Sequence, residues 1–329
     1  MQFSKTVQQW RYWPKVEFSI KVAILLALIW SIYQQLFANN SVEEIAHFYQ
    51  SPLSTKSIVL LVAAMVLMPI NWLLEALKWQ TLVKAAEPLQ LKQALKAVLS
   101  GVTLSLLTPN RIGEYGGRIA FLSNPTGINQ LVRTFLCGLA QLTITFLFGI
   151  IGLAMVSPLL SEFSPAQLNI IWLAAIAGCM LILLAFVYVN KLKTLPRLLG
   201  KFSPKLSNYL LHLKHINRHE LLTVLGLGSL RYLVYSCQYA LLLQAFGIEL
   251  NYADTWAMVS VLFLLQTLIP SIAAFEIAIR GNLALFLLSS YSANTLSLMS
   301  AVLILWTINL MVPALIGYII VWNRRFTKL

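Results

Sequence analysis

Six apolar runs, at about residues 18–37, 57–82, 131–156, 168–189, 221–246 and 295–322, are each 20 residues or longer in this chain. At about 1.5 Å of helical rise per residue, each run reaches about 30 Å, the hydrocarbon thickness of a bilayer. Backbone in hydrocarbon must satisfy its own hydrogen bonds, which leaves helices as the form these runs take. With 59% hydrophobic and 11% charged residues among 329, the chain reads as an all-α polytopic membrane protein. No small-residue cleavage site follows the first run, which reads as a retained span rather than a signal peptide.

A net charge of +13 would suit nucleic acid in a soluble protein, but in a membrane protein the placement of Lys and Arg reports topology, and no nucleic-acid role is expected. Lys5, Arg11 and Lys15 stand among Trp10, Tyr12 and Trp13, an interfacial anchor that places the N-terminus in the cytoplasm. The next loop, with Glu43, Glu44 and His47, is external, and Lys84, Lys92 and Lys96 return the chain inside. Residues 190–220 carry Lys191, Lys193, Arg197, Lys201, Lys205, Lys214 and Arg218 against Glu220, a single basic cytoplasmic loop. That loop is a topology signal and also a surface for anionic lipid, at about 1 kcal/mol per base. Glu249 and Asp254 lie outside, and Arg324, Arg325 and Lys328 put the C-terminus inside.

With these sides assigned, residues 92–130 enter and leave on the cytoplasmic face, and residues 256–290 do so on the external face. The expectation is a single transmembrane domain of about six full spans plus two opposed re-entrant helical hairpins, inverted-repeat-like, in the cytoplasmic (plasma) membrane. A hydropathy count would find about eight segments in it. Assembly into an oligomer is left open.

Each hairpin contains a break. In the first, Thr108, Pro109, Asn110 and Arg111 lead into Gly113, Glu114, Gly116, Gly117 and Arg118; in the second, Pro270 and Ser271 lead to Glu276 and Arg280. In both, a glutamate follows the proline by five or six residues and an arginine sits four beyond it. Irregular backbone at membrane depth is tolerated where it lines a wet cavity, so paired breaks imply one. A helix starting after each proline would aim unpaired N–H groups at that cavity, and Arg111, Arg118 and Arg280 suit phosphate. Gly113, Gly116 and Gly117 would let backbone approach a headgroup or supply positive φ. Glu114 and Glu276 are candidates for gating pairs, proton coupling or contact with a cationic headgroup. The plainer alternative is that Glu114 with Arg118, and Glu276 with Arg280, are i,i+4 ion pairs that neutralise buried charge.

Arg231, about ten residues into its run, either faces the cavity, pairs with a carbonyl or snorkels. Glu75 and Lys78, beside Trp72 and Trp79, read as a solvated helix end. Cys137, Cys179 and Cys237 lie in apolar runs as small core residues. His215 and His219 are spaced like a metal pair, yet no acidic or thiol partner is near, so neither a metal nor a cofactor is expected.

The stretch TPNRIGEYGGR, Thr108 to Arg118, resembles the hallmark of the lysylphosphatidylglycerol synthase transmembrane-region family, also described as flippase-like. The stretch from Ile269 to Arg280 is similar to that family's second signature, although Ala273, Ala274 and Phe275 stand where small glycines are common. WQTLV, Trp79 to Val83, also fits. The resemblance spans about residues 15–323 and implies a flippase-type domain like that of the multiple peptide resistance factor, which moves aminoacylated phosphatidylglycerol between leaflets. That factor also carries a soluble aminoacyl-transferase domain, for which this sequence has no room: its largest hydrophilic segment is about thirty residues long. The reading is therefore a lipid flippase or transporter for a phosphate-bearing membrane phospholipid rather than an enzyme. The alternatives are a membrane transferase acting on a lipid-linked substrate, with Glu114 as base, and a non-catalytic partner of a lipid-modifying enzyme.

Overall fold

The computed structural model describes residues 53–84, 87–106, 108, 111–122, 128–156, 164–188, 217–248, 250–269, 273–288 and 295–323, with Leu26 and Trp30. Most of the first predicted run, both termini, residues 190–216 of the basic loop, and Pro109, Asn110, Pro270 and Ser271 lie outside the described residues.

Among the described residues the chain is helical. In order, the helices are α1 (Thr55–Val83), α2 (Leu91–Ser105), α3 (Gly113–Ile119), α4 (Ile128–Val156), α5 (Pro165–Tyr188), α6 (Arg218–Ala245), α7 (Tyr252–Leu268), α8 (Ala273–Leu288), α9 (Thr295–Trp306) and α10 (Val312–Trp322). A π-helical turn, Thr307–Met311, joins α9 to α10. Among these residues, Thr55–Val83, Gln130–Val156 and Leu296–Trp322 are long and apolar enough to cross a membrane. For the five runs that fall among the described residues, from 57–82 to 295–322, the helix edges match to within about three residues. Where the two breaks fall, the chain instead forms the short pieces α2 with α3 and α7 with α8.

The bundle has an apolar outer surface and a core in which polar and charged side chains are buried among apolar ones. Val59, Val66, Ile170, Leu173 and Ile319 are exposed, Leu173 at 71%, while Asn71, Glu75, Lys78, Arg118, Arg133, Gln238 and Asn309 are buried. Many large exposed apolar side chains, with charges buried in the core instead of on the surface, suit lipid as the solvent.

Helix ends are tied together by polar side chains. Asn217 and Glu220 form a capping box at the start of α6, each side chain serving the other's backbone N–H. Arg133, at the start of α4, donates to the Leu82 carbonyl at the end of α1 at 2.7 Å and lies 3.5 Å from Glu220. A guanidinium against the last turn of α1 also complements the negative end of that helix. Three helix ends thus meet at one level, as the charge pattern requires if the end of α1 and the starts of α4 and α6 share a side of the membrane.

Glycines let α2 and α3 touch backbone to backbone. A Cβ on Gly117 would lie 2.6 Å from the Gly101 Cα, and one on Gly101 would lie 2.8 Å from the Glu114 carbonyl oxygen, whereas one on Gly116 would meet nothing within 4 Å. Gly117→Ala is expected to cost about 1–3 kcal/mol through overpacking, and Gly116→Ala to be neutral. Melting temperatures of the two purified variants check this; equal values would show that α2 and α3 can separate without loss.

Candidate functional site

The first break is built around a hydroxyl and one strained residue. Thr108 Oγ1 accepts from the Gly113 N–H at 2.7 Å and caps the start of α3, which has no other side-chain cap at Ile112. Arg111 follows with φ of 58°, in the left-handed region, and among the described residues it is the non-glycine with positive φ. The sequence placed that role on the motif glycines. The structure corrects this: Gly113 and Gly117 are packed against α2, Gly116 faces open space, and the unusual backbone belongs to the arginine. For a long side chain that conformation costs about 1–2 kcal/mol.

Beneath this turn lies an ionic cluster centred on Glu75 of α1. Its carboxylate is 2.7 Å from Lys78 Nζ, 2.7 Å from Arg118 Nη2 and 3.3 Å from Arg231 Nη1. Arg118 also pairs with Glu114, one helical turn earlier. Lys78 donates to Gln141 Oε1 at 3.0 Å, and Arg231 shares that oxygen at 3.3 Å while lying over the Trp72 ring, 5.4 Å from its centroid. Glu75 and Lys78 are only 5% and 1% exposed, so they are not the solvated helix end expected from the sequence. Burial of a carboxylate is tolerated here because three cations surround it.

The second motif is paired in the same local way. Arg280 Nη2 binds the Glu276 carboxylate one turn back, and Nη1 donates to the Tyr235 hydroxyl at 2.7 Å. With the Gln266 amide turned so that its oxygen faces the guanidinium, that oxygen accepts from Nη2 at 2.8 Å. Tyr235 is held in turn by stacking on Phe263 of α7, with ring centroids 5.0 Å apart.

Between these two systems is a cavity of about 320 Å³. Arg111 enters it from the first break, Glu276 and Arg280 from α8, and Arg231 from α6. Its lining also includes neutral groups, Asn71 and Trp72 of α1, Trp306 of α9 and Asn309 of the π turn. Pro313 has no N–H to give the carbonyl four residues earlier, at Asn309, which accounts for a wider turn at this point. Among the described residues, Arg111 makes no ion pair and its Nε is buried without a partner. Three guanidiniums against one carboxylate leave the cavity cationic.

The profile of the lysylphosphatidylglycerol synthase TM region matches residues 18–322. The chain belongs to this family. No curated protein matches it significantly. Membership ties the chain to membrane-lipid biology and to association with membrane lipid, and the apolar helices make it an integral membrane protein.

In this lysylphosphatidylglycerol synthase TM-region protein, the residues singled out from sequence divide into two groups. Arg111, Arg231, Glu276 and Arg280 share the cavity. Glu114 and Arg118 are not among its lining residues, and they join Glu75 in the ionic cluster next to it. Thr108, Gly113 and Gly117 shape the turn that carries Arg111. Pro109, Pro270 and Ser271 lie outside the described residues. Sequence reasoning missed Glu75 and Lys78 as cluster members, and it missed Gln141, Tyr235, Asn71 and Asn309. Lone amides at 71 and 309, inside apolar runs, were the available signal, because a buried amide in hydrocarbon needs a partner.

Proposed function

We propose that this protein moves a phosphate-bearing lipid between the leaflets of the plasma membrane. The observation that carries the reading is the cavity where Arg111 of the first motif meets Glu276 and Arg280 of the second beside Arg231. Excess buried positive charge is costly until an anion joins it, and a guanidinium fork matches phosphate oxygens in pairs. A volume of about 320 Å³ admits a headgroup but not acyl chains, which stay in the lipid.

The helix lengths support a transporter frame. α2, α3, α7 and α8 have 15, 7, 17 and 16 residues. At about 1.5 Å per residue, none of them reaches the roughly 30 Å of a hydrocarbon core. In this reading residues 92–130 and 256–290 are re-entrant hairpins from opposite faces that meet at the cavity, and rocking of one against the other exposes it alternately. Both termini and the 190–220 loop are cytoplasmic, where the loop draws anionic lipid to the entrance. The family's name, which concerns a lysylated phospholipid, points to the same kind of cargo.

The test is reconstitution of the full chain in vesicles with tail-labelled phospholipid. Exchange between leaflets is expected to exceed that of protein-free vesicles severalfold. Equal rates for every phospholipid tried would overturn the proposal.

A further inference from the structure

We infer that the bundle bends at the level of the π turn, so that the half holding α2 and α3 swings against the half holding α7 and α8; this rests on the transport reading above and names the joint on which it turns. Most of the buried apolar side chains pack into two large cores. One takes Val98 and Val102 of α2 with Ile119 of α3, and the other takes Leu262 of α7 with Ala284 and Leu287 of α8. Among the described residues the first core has no member from α7 or α8, and the second has none from α2 or α3. Close-packed cores resist deformation and move as units, so a movement falls where one gives way to the other. Between α9 and α10, Val302 and Leu305 belong to the second core and Leu310 and Ala314 to the first, which puts the changeover at the π turn.

That turn is built to bend. The Val312 N–H bonds to the Thr307 carbonyl, five residues back rather than four, and Pro313 leaves the Asn309 carbonyl without its helical donor. Kinks in helices concentrate at prolines and π turns. A matching break lies in α1, where Pro69 stands between Ala64 of the second core and Trp72 of the first. Each side of the joint is held by a different short helix. A Cβ on Gly281 of α8 would lie 2.9 Å from Met299 of α9, whereas one on Gly317 of α10 would strike the Leu99 carbonyl of α2, and Thr103 of α2 donates to the Ala314 carbonyl at 2.8 Å. At the joint itself, buried amides pin the long helices together. Gln238 of α6 donates to the Ala64 carbonyl of α1 at 2.8 Å, Asn309 of the π turn to Gln238 at 3.2 Å, and Asn71 of α1 to Asn309 at 2.7 Å. Unpairing them at membrane depth is costly, so this level acts as a fixed pivot while the segments beyond it move. Asn71 and Asn309 also belong to the cavity lining, so a bend here changes which way the cavity opens.

Spin-label distances in the full chain, reconstituted in phospholipid vesicles, test the joint. The labels go on a Cys237→Ser protein, whose Cys137 and Cys179 are buried. Leu315→Cys in α10 is paired with Tyr252→Cys in α7 across the joint, and with Leu222→Cys in α6, beside Leu221 of the first core, within one half; all three positions are exposed. The pair across the joint is expected to give a wide, two-peaked distance distribution, and the pair within one half a single narrow peak. Pro313→Ala returns a donor to the Asn309 carbonyl, and it is expected to keep or raise the melting temperature, collapse the wide distribution to one peak, and slow exchange of tail-labelled phospholipid severalfold. Equally narrow distributions for the two pairs overturn the inference. So does a wide distribution that survives in folded Pro313→Ala protein, or an unchanged exchange rate in protein whose distribution has collapsed. If Pro313→Ala fails to fold, the two pairs without that change decide. If the unaltered protein exchanges no phospholipid, the transport reading falls, and the distance distributions alone keep or overturn the joint.

Discussion

Glu75→Gln is expected to strip this protein of most of its stability. The change removes the carboxylate that faces Lys78, Arg118 and Arg231, and among the described residues leaves these cations with Glu114, a shared glutamine and the Trp72 ring. Breaking a buried ion pair by removing one member costs about 3–5 kcal/mol, because the stranded charge keeps its desolvation penalty. Glu114→Gln is expected to cost far less, since that side chain is 23% exposed and Arg118 retains Glu75. Thermal unfolding in detergent, followed by size-exclusion profile, measures both. A double variant, Glu75→Gln with Lys78→Met, should recover part of the loss by removing one uncompensated cation. A Glu75→Gln protein that melts with the unaltered one would show that water or lipid, rather than this carboxylate, neutralises the cluster.

Arg111→Gly is expected to do the opposite, keeping or raising stability while slowing exchange sharply. Arg111 sits at φ 58° and, among the described residues, has no ion pair to lose. Glycine adopts that backbone freely, so relief of about 1 kcal/mol offsets the lost side-chain contacts. Loss of a charged donor to phosphate should slow exchange about tenfold to a hundredfold, from about 1.5–3 kcal/mol for a charge-assisted hydrogen bond. Arg118→Ala gives the contrast: its guanidinium joins Glu75 to Glu114 and is absent from the cavity lining, so its loss should appear first as unfolding. Arg118 is thus a positioning residue, and Arg111 is the better candidate for direct phosphate contact. Full exchange by a folded Arg111→Gly protein would remove this assignment.

Much of the architecture was legible because hydropathy is a local property. The run predicted at 57–82 became Thr55–Val83, and the one at 131–156 became Ile128–Val156, since each helix is set by its own apolar residues and by where they stop. Breaks in these two stretches were legible for the same reason: one helix ends at Ser105 and the next starts at Gly113, and likewise Leu268 and Ala273. The i,i+4 pairs Glu114 with Arg118 and Glu276 with Arg280 were the plainer alternative that spacing offered, and both are present.

The site itself was legible only in part. Arg118 reaches Glu75 across 43 positions, and Asn71 reaches Asn309 across 238, distances over which periodicity carries no information. Glu75 looked like a solvated end because its sequence neighbours are interfacial in kind; burial came from α3, α4 and α6 closing over it. The amino-acid sequence by itself determined a helical membrane protein with two interrupted segments and two local ion pairs, because those depend on residues within a few turns of each other. Only the tertiary structure decided that Arg111 is held in the left-handed region and shares a cavity with Glu276 and Arg280, and that Glu75 is the counter-charge of three cations. Low-dielectric surroundings make each buried charge and amide seek whichever partner the packing brings within about 3 Å, and that partner comes from another helix.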